Sequence, residues 1–234
     1  MKKLLVIIIV IISNYSFSQS DTGTSGLIHI PSARMLEDGQ LVLGASYIPK
    51  PYFQRYNRRV NPGLNTYLTY GILPFVEIMF RYTHELNIPV NNETQYFPDR
   101  MGSLRIRLLS EKIKLPSIVI GFQDLTFLTN TCIRCQNYTA TYIVFSKEFD
   151  SVLGSFDLSL GYAHNLFDLK RVDFDGFFGG FEFFPTTNNK GSIIFEHNTE
   201  YFNTGIKLYP SRNINMMIGL RNFDQLTYAL NFLL

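Results

Sequence analysis

The run "FVEIMFRY", Phe75–Tyr82, sets Val76, Ile78, Phe80 and Tyr82 on one side and Glu77, Met79 and Arg81 on the other. Successive side chains of an extended strand point to opposite faces, so a period of two marks a half-buried β-strand. A helix would repeat its apolar residues every three to four positions instead. Working outward, the same alternation returns in "QLVLGASYI", "NTYLTYGI", "SLRIRL", "SIVIGFQ" and, less cleanly, "TATYIVFSK". It continues through "SFDLSLGYA", "FFGGFEFF", "SIIFEHN", "FNTGIKLY" and "INMMIGLR" to "LTYALNFLL", Leu226–Leu234. These segments predict twelve strands and an all-β fold.

A soluble sandwich and a membrane barrel share this periodicity, because either can bury one face and wet the other. The connections separate them. Those after the first, third, fifth and seventh strands are long, as in "PKPYFQRYNRRVNPG" and "LTFLTNTCIRCQN". Those after the second, fourth and sixth are shorter, as in Leu73-Pro74 and "EFDSVLG", and the last three are all tight. Long loops at one end and short turns at the other are expected of an antiparallel transmembrane β-barrel. Strands of 8 to 10 residues, tilted about 40°, cover roughly 20–25 Å, which matches the apolar band of such barrels. Lipid tolerates no open sheet edge, so the last strand is expected to pair with the first. The aromatic and aliphatic character of Leu226–Leu234 resembles the sorting signal of bacterial outer-membrane proteins, with Phe232 two places before the closing Leu234.

The beginning of the chain points to export. Lys2 and Lys3 precede "LLVIIIVII", Leu4–Ile12, and a polar stretch with Ser16 and Ser18 follows. This is the order of a secretory signal, too short in its apolar part to span a bilayer, with cleavage expected beside Gln19. No cysteine lies near that point to carry a lipid anchor. The expected organisation is a signal peptide over 1–19, a lead segment over 20–39 and a barrel over 40–234. Without Lys2 and Lys3 the 21 basic residues fall to 19, against 19 acidic ones, so nothing in the charge balance favours nucleic acid. The chain holds 21 Phe and 14 Tyr but no Trp, an unusual aromatic content for a soluble secreted protein.

Ahead of the first strand lies "GLIHIPSARMLEDGQL", with Gly26, Leu27, Pro31, Ser32, Ala33, Arg34, Asp38 and Gly39. This run resembles the N-terminal motif of the YjbH family, outer-membrane proteins associated with exopolysaccharide export. "FEHNTEYFNTGIKLY", Phe195–Tyr209, resembles a later strand-turn-strand of the same family. The resemblance implies a barrel in the outer membrane of a Gram-negative bacterium. Its implied partners are membrane lipids and polysaccharide or other envelope proteins. Family members tied to exopolysaccharide operons are several times longer, whereas this chain has room for a single barrel.

Inward-facing positions of the expected barrel carry Glu77, Arg81, Arg105, Arg107, Asp157, Glu182, Glu196, Lys207 and Arg221. They could line a polar path for sugar hydroxyls or ions, or pair with one another across a filled interior. A selective pore more often shows one dominant sign, and here the signs nearly balance. Arg34 could tuck into the barrel mouth and pair an inward carboxylate such as Glu196, or it could dock a partner. Cys132 and Cys135, in "CIRC", are expected to form a local disulfide at a loop tip. Two thiols are too few for a structural zinc site, and the scattered glycines form no phosphate cradle. His29, His84, His164 and His197 stand beside no serine in a nucleophile-like turn, so no catalysis and no cofactor are expected. The loop residues Tyr52, Phe53, Arg55, Tyr56, Arg58 and Arg59 could contact acidic glycan or a partner protein. Two functions remain open: a porin-like component for polysaccharide or solute passage, and a filled barrel that scaffolds an envelope complex.

Overall fold

The computed structural model describes residues 19–53, 61–87, 99–125, 138–166, 172–186 and 190–234. Most of the expected signal peptide, both cysteines, and Arg55, Tyr56, Arg58 and Arg59 lie outside the described residues.

Twelve strands follow one another: β1 Leu41–Ile48, β2 Gly63–Leu73, β3 Val76–Glu85, β4 Asp99–Leu109, β5 Ser117–Gln123 and β6 Ala140–Ser151. They continue as β7 Gly154–His164, β8 Gly176–Pro185, β9 Gly191–His197, β10 Phe202–Ser211, β11 Ile214–Arg221 and β12 Gln225–Leu233. Each pairs antiparallel with its sequence neighbour, and β12 returns to β1 from Tyr47↔Tyr228 to Val42↔Leu233. The Leu234 N–H donates to the Leu41 carbonyl at 2.8 Å, so the closing ladder runs to the last residue of the chain. Every strand therefore has two partners.

The alternation sorts residues as the sequence predicts. Phe80, Leu160, Phe177, Ile218, Leu230 and Phe232 are exposed on the outer wall, while Glu77, Arg105, Glu196, Lys207 and Asn231 are buried inside. An apolar exterior around a polar interior inverts the arrangement of a soluble protein and fits lipid on all sides. The fold is a transmembrane β-barrel. Turns join β2–β3, β4–β5, β6–β7, β8–β9 and β10–β11 at the end where the lead segment enters β1, called here the turn end. The opposite, loop end carries the other connections.

One boundary differs from the sequence expectation. "EFDSVLG" reads as a connection because of its charges, yet Glu148–Ser151 pairs with Gly154–Asp157 of β7 and only Val152–Leu153 turns. Alternation of charge with Phe149 and Phe156 is still a strand pattern when the strand leaves the lipid.

Candidate functional site

A twelve-stranded ring lies between the small barrels that side chains fill and the large ones that hold an aqueous channel. Here a second piece of chain occupies the interior. The lead segment folds as two successive hairpins, closed by the bridges Gln19↔Ser25 and Gly26↔Pro31. Its own amides satisfy part of its backbone: Asp21 N–H donates to the Ile28 carbonyl at 2.8 Å, and Leu27 N–H to the Ile30 carbonyl at 2.9 Å. Leu27, Ile28 and Ile30 are sealed from solvent, packed in one cluster with Val119, Val144 and Ile194 of the wall.

Backbone groups left over by the hairpins would be costly in a closed interior, and the wall answers them. Glu196 accepts the N–H groups of Ile28 at 2.9 Å and His29 at 3.0 and 3.2 Å, and also the Asn203 amide at 2.7 Å. Glu77 accepts Ser25 Oγ–H at 2.8 Å and Leu36 N–H at 3.0 Å, and pairs with Arg105 at 2.7 Å. Arg105 itself donates to the Ser32 carbonyl. Lys207 Nζ donates to the Gly26 carbonyl at 2.7 Å and lies 3.8 Å from Glu182.

Nearer the loop end, Ser46 Oγ and Asn65 Nδ2 both donate to the Asp21 carbonyl, and Thr69 Oγ1 to that of Gly23. Arg81 donates to the Thr22 carbonyl at 3.4 Å and stacks over Tyr138, 4.3 Å from its ring centroid. Arg221 pairs with the Asp21 carboxylate at 2.5 Å. His29 sits at the tip of the second hairpin, with Asp21 2.9 Å from Nδ1 and Asp173 3.2 Å from Nε2. Asp173 and Phe174 belong to the β7–β8 connection, and Asp173 N–H donates to the Thr139 carbonyl of the β5–β6 connection at 2.9 Å. The described ends of these connections, Thr139, Asp173 and Phe174, thus lie against the lead segment at the loop end.

At the turn end the Arg34 guanidinium takes Asp157 with two bonds of 2.7 Å and Glu111 at 2.5 Å. Of the inward carboxylates open to it in the sequence, of which Glu196 is the example, Arg34 meets Asp157, while Glu196 lies deeper and holds backbone amides. Burial opposes the Arg34 charge, but Asp157 and Glu111 outweigh it and hold the guanidinium protonated. Burial is the largest single influence on the Glu111 carboxyl and raises it, but hydrogen bonds from Lys147 and the Glu148 N–H, with the Arg34 charge, together reverse this and lower it. Ala33 N–H donates to Ser146 Oγ at 2.7 Å, and Ser117 Oγ donates to the Ala33 carbonyl at 3.0 Å.

The remaining motif residues have local tasks. A Cβ on Gly26 would fall 2.3 Å from the Ile30 carbonyl oxygen, so only glycine lets this hairpin close. Gly39 takes φ +82 and donates to the Gly71 carbonyl at 2.8 Å, turning the chain past Asp38 into β1. Of the nine inward charges named from sequence, Arg107 stands at the turn end, donating to the Pro74 carbonyl at 3.0 Å, half-buried rather than deep. Asp21, Asp173, Ser46, Asn65 and Ser146 escaped the sequence reading, and His29 enters it only as a non-catalytic histidine, because nothing local announces a contact between distant segments. Among the described residues no group of three or more His, Cys, Asp and Glu is placed to hold a metal ion.

The chain is 29% identical over 149 residues to the "Uncharacterized lipoprotein YjbH" of Escherichia coli (strain K12), covering 62% of this chain and 18% of that protein. It therefore spans about a fifth of the length of that relative. Among solved structures it is similar to Ail, the attachment invasion locus protein of Yersinia pestis, alone and in complex with the heparin analogue sucrose octasulfate. Identities are 10% and 9% and TM-scores 0.19 and 0.18, covering 84% of this chain and 99% and 95% of Ail, values that carry no inference about this chain. Residues 18–201 match the family model described as "Exopolysaccharide biosynthesis protein YbjH", and the chain belongs to the YjbH family.

Proposed function

We propose that this protein is a non-enzymatic, filled barrel of the outer membrane of a Gram-negative bacterium, a subunit that scaffolds an envelope complex concerned with exopolysaccharide. In this reading residues 1–19 direct export, 20–39 form an internal plug and 40–234 form the barrel. The observation that carries it is the seating of the lead segment: Leu27, Ile28 and Ile30 are at most 2% exposed, and Glu77 and Glu196 bind its backbone. A path for solute would have to displace a segment whose backbone is held to the wall by Glu77, Glu196, Arg105 and Lys207. The near balance of inward charge supports pairing over ion selection. Outer-membrane lipids are then the partners of the wall, and polysaccharide or envelope proteins those of the rims.

Planar-bilayer recording of the purified mature chain tests this, with heat-modifiable gel mobility as the control for folding. The folded barrel is expected to pass no steady current. A variant carrying Glu77→Gln with Glu196→Gln, which loosens the plug, is expected to flicker open. Steady current from the unaltered barrel overturns the filled reading in favour of porin-like passage, and a chain soluble without detergent overturns the membrane location.

A further inference from the structure

The turn end holds a sheet edge that the barrel does not use. β5 pairs with β6 only as far as Ser117↔Ser146, whereas β6 continues to Ser151. On its other side β6 stays paired with β7 to Ser151↔Gly154, and β7 with β8 to Gly154↔Pro185. Among the described residues, therefore, no strand lies beside Lys147–Ser151 on the β5 side. The Glu148 N–H points away from β7, donating to Glu111 Oε1 at 3.1 Å. Backbone direction alternates along a strand, so the Asp150 N–H points the same way, one step past the reach of the Glu111 cap.

The side chains around this edge are sorted. Ile113, on the β4–β5 turn, is 95% exposed, and Phe149, Val152 and Leu153 are 51%, 96% and 74% exposed. An open cleft of about 680 Å³ is lined by the Glu111–Ile113 turn and the Lys147–Asp150 edge, which Lys147 and the Glu148 N–H bridge through their bonds to Glu111 and the Lys112 carbonyl. On the opposite face of the strand Glu148 and Asp150 are exposed; Lys147, on the Phe149 face, and Arg34 are both engaged by Glu111. Pairing with a second copy would bring Glu148 against Asp150, a like-charge register that disfavours self-association. An edge of this kind invites strand addition, in which main-chain bonds supply affinity and alternate side chains supply choice.

We infer that the β6 edge at Lys147–Ser151 is a docking site for an extended segment of a partner protein whose residues alternate apolar and basic. Apolar positions meet Phe149 and Ile113, and basic positions meet Glu148 and Asp150. The inference rests on the scaffold reading and supplies the contact it needs.

A fluorescent nine-residue peptide alternating Val and Lys is titrated onto the full barrel in phosphatidylcholine nanodiscs, beside a peptide of the same composition in two blocks. Saturable binding of the alternating peptide alone is expected. Asp150→Pro removes the one uncapped N–H of the edge together with a carboxylate, without touching the β6–β7 ladder, and should weaken binding about tenfold, more than Asp150→Asn, which removes the carboxylate alone. Glu148→Lys with Asp150→Lys should transfer preference to a Val–Glu alternation, and gel mobility reports that each variant is folded. No saturable binding, equal binding of both peptides, as lipid adsorption would give, or indifference to Asp150→Pro overturns the inference. The scaffold reading fails separately: it falls if the barrel migrates alone from mildly solubilised envelopes, whatever the peptides do. An indifferent edge on a barrel that migrates within a complex removes the edge and leaves the scaffold.

Discussion

The Glu196 carboxylate accepts the His29 amide at 3.0 Å through one oxygen and at 3.2 Å through the other, joining β9 to a hairpin tip 167 positions earlier in the chain. The same carboxylate takes the Ile28 and Ile30 N–H groups, at 2.9 and 3.4 Å, and the Asn203 amide, so one buried side chain ends four donors. Glu196→Ala leaves all four without it, at a cost of about 3 kcal/mol. Glu196→Gln keeps an acceptor oxygen but loses the charge and should cost roughly half as much. Urea titration followed by heat-modifiable mobility measures both, and equal stability of the two variants would show that the carboxylate charge contributes nothing.

Glu77 and Arg105 form a 2.7 Å pair with side chains 0% and 1% exposed, and each also reaches the lead segment. Removing one partner strands a charge in a closed interior. Arg105→Met alone should lose about 4 kcal/mol. Adding Glu77→Gln removes the stranded charge, so the double variant should fall short of the sum of the singles by about 2 kcal/mol. Strict additivity in a double-mutant cycle would mean that the two groups act independently.

Much of the barrel was legible because a strand advertises its faces locally. The alternation in Phe75–Tyr82 or Leu226–Leu234 names the lipid-facing residues without knowledge of their neighbours. The charges of Glu148 and Asp150 hid the end of β6, since beyond the lipid a strand no longer needs an apolar face. The plug was legible only as a motif. Gly26, Pro31 and Gly39 show that the chain bends, but the depth it reaches depends on Glu77, Glu196 and Arg221, which lie far from it along the chain. Arg34 illustrates the limit: its charge demanded a carboxylate, and the sequence offered several. The choice of Asp157 and Glu111 follows from which strands flank the mouth, and strand register decides that.

Two glycines of the motif should behave differently. At Gly26 the obstacle is the Ile30 carbonyl, a backbone atom that cannot swing away, so Gly26→Ala should expel the second hairpin while the ring stays closed. Limited proteolysis should then cut within residues 20–36 of a barrel whose gel mobility still changes on heating. At Gly39 a Cβ meets nothing within 4 Å, and only the φ of +82 opposes it. Gly39→Ala should cost about 1 kcal/mol and leave the plug protected. Proteolysis in both variants, or in neither, would contradict this division.

The clamp at the mouth should weaken in acid. Glu111 lies in the β4–β5 turn, and its carboxyl is held below the ordinary value by Lys147, the Glu148 N–H and Arg34 despite an opposing effect of burial. A depressed carboxyl contributes stability that is complete above its unfolded pKa of about 4.3 and disappears as pH falls through the lower folded value. Protection of the Ala33 and Arg34 amides against hydrogen exchange, corrected for the intrinsic pH effect, should therefore hold from neutrality down to about pH 4 and decline below it. Glu111→Gln should start from lower protection at neutral pH and show a flatter decline, because the group that titrates is gone. Since Glu111 is a partly buried group at the rim, still reached by water, the loss should be modest and shrink further in high salt. A decline of full size in Glu111→Gln would transfer the acid response to Asp157, the other carboxylate on Arg34.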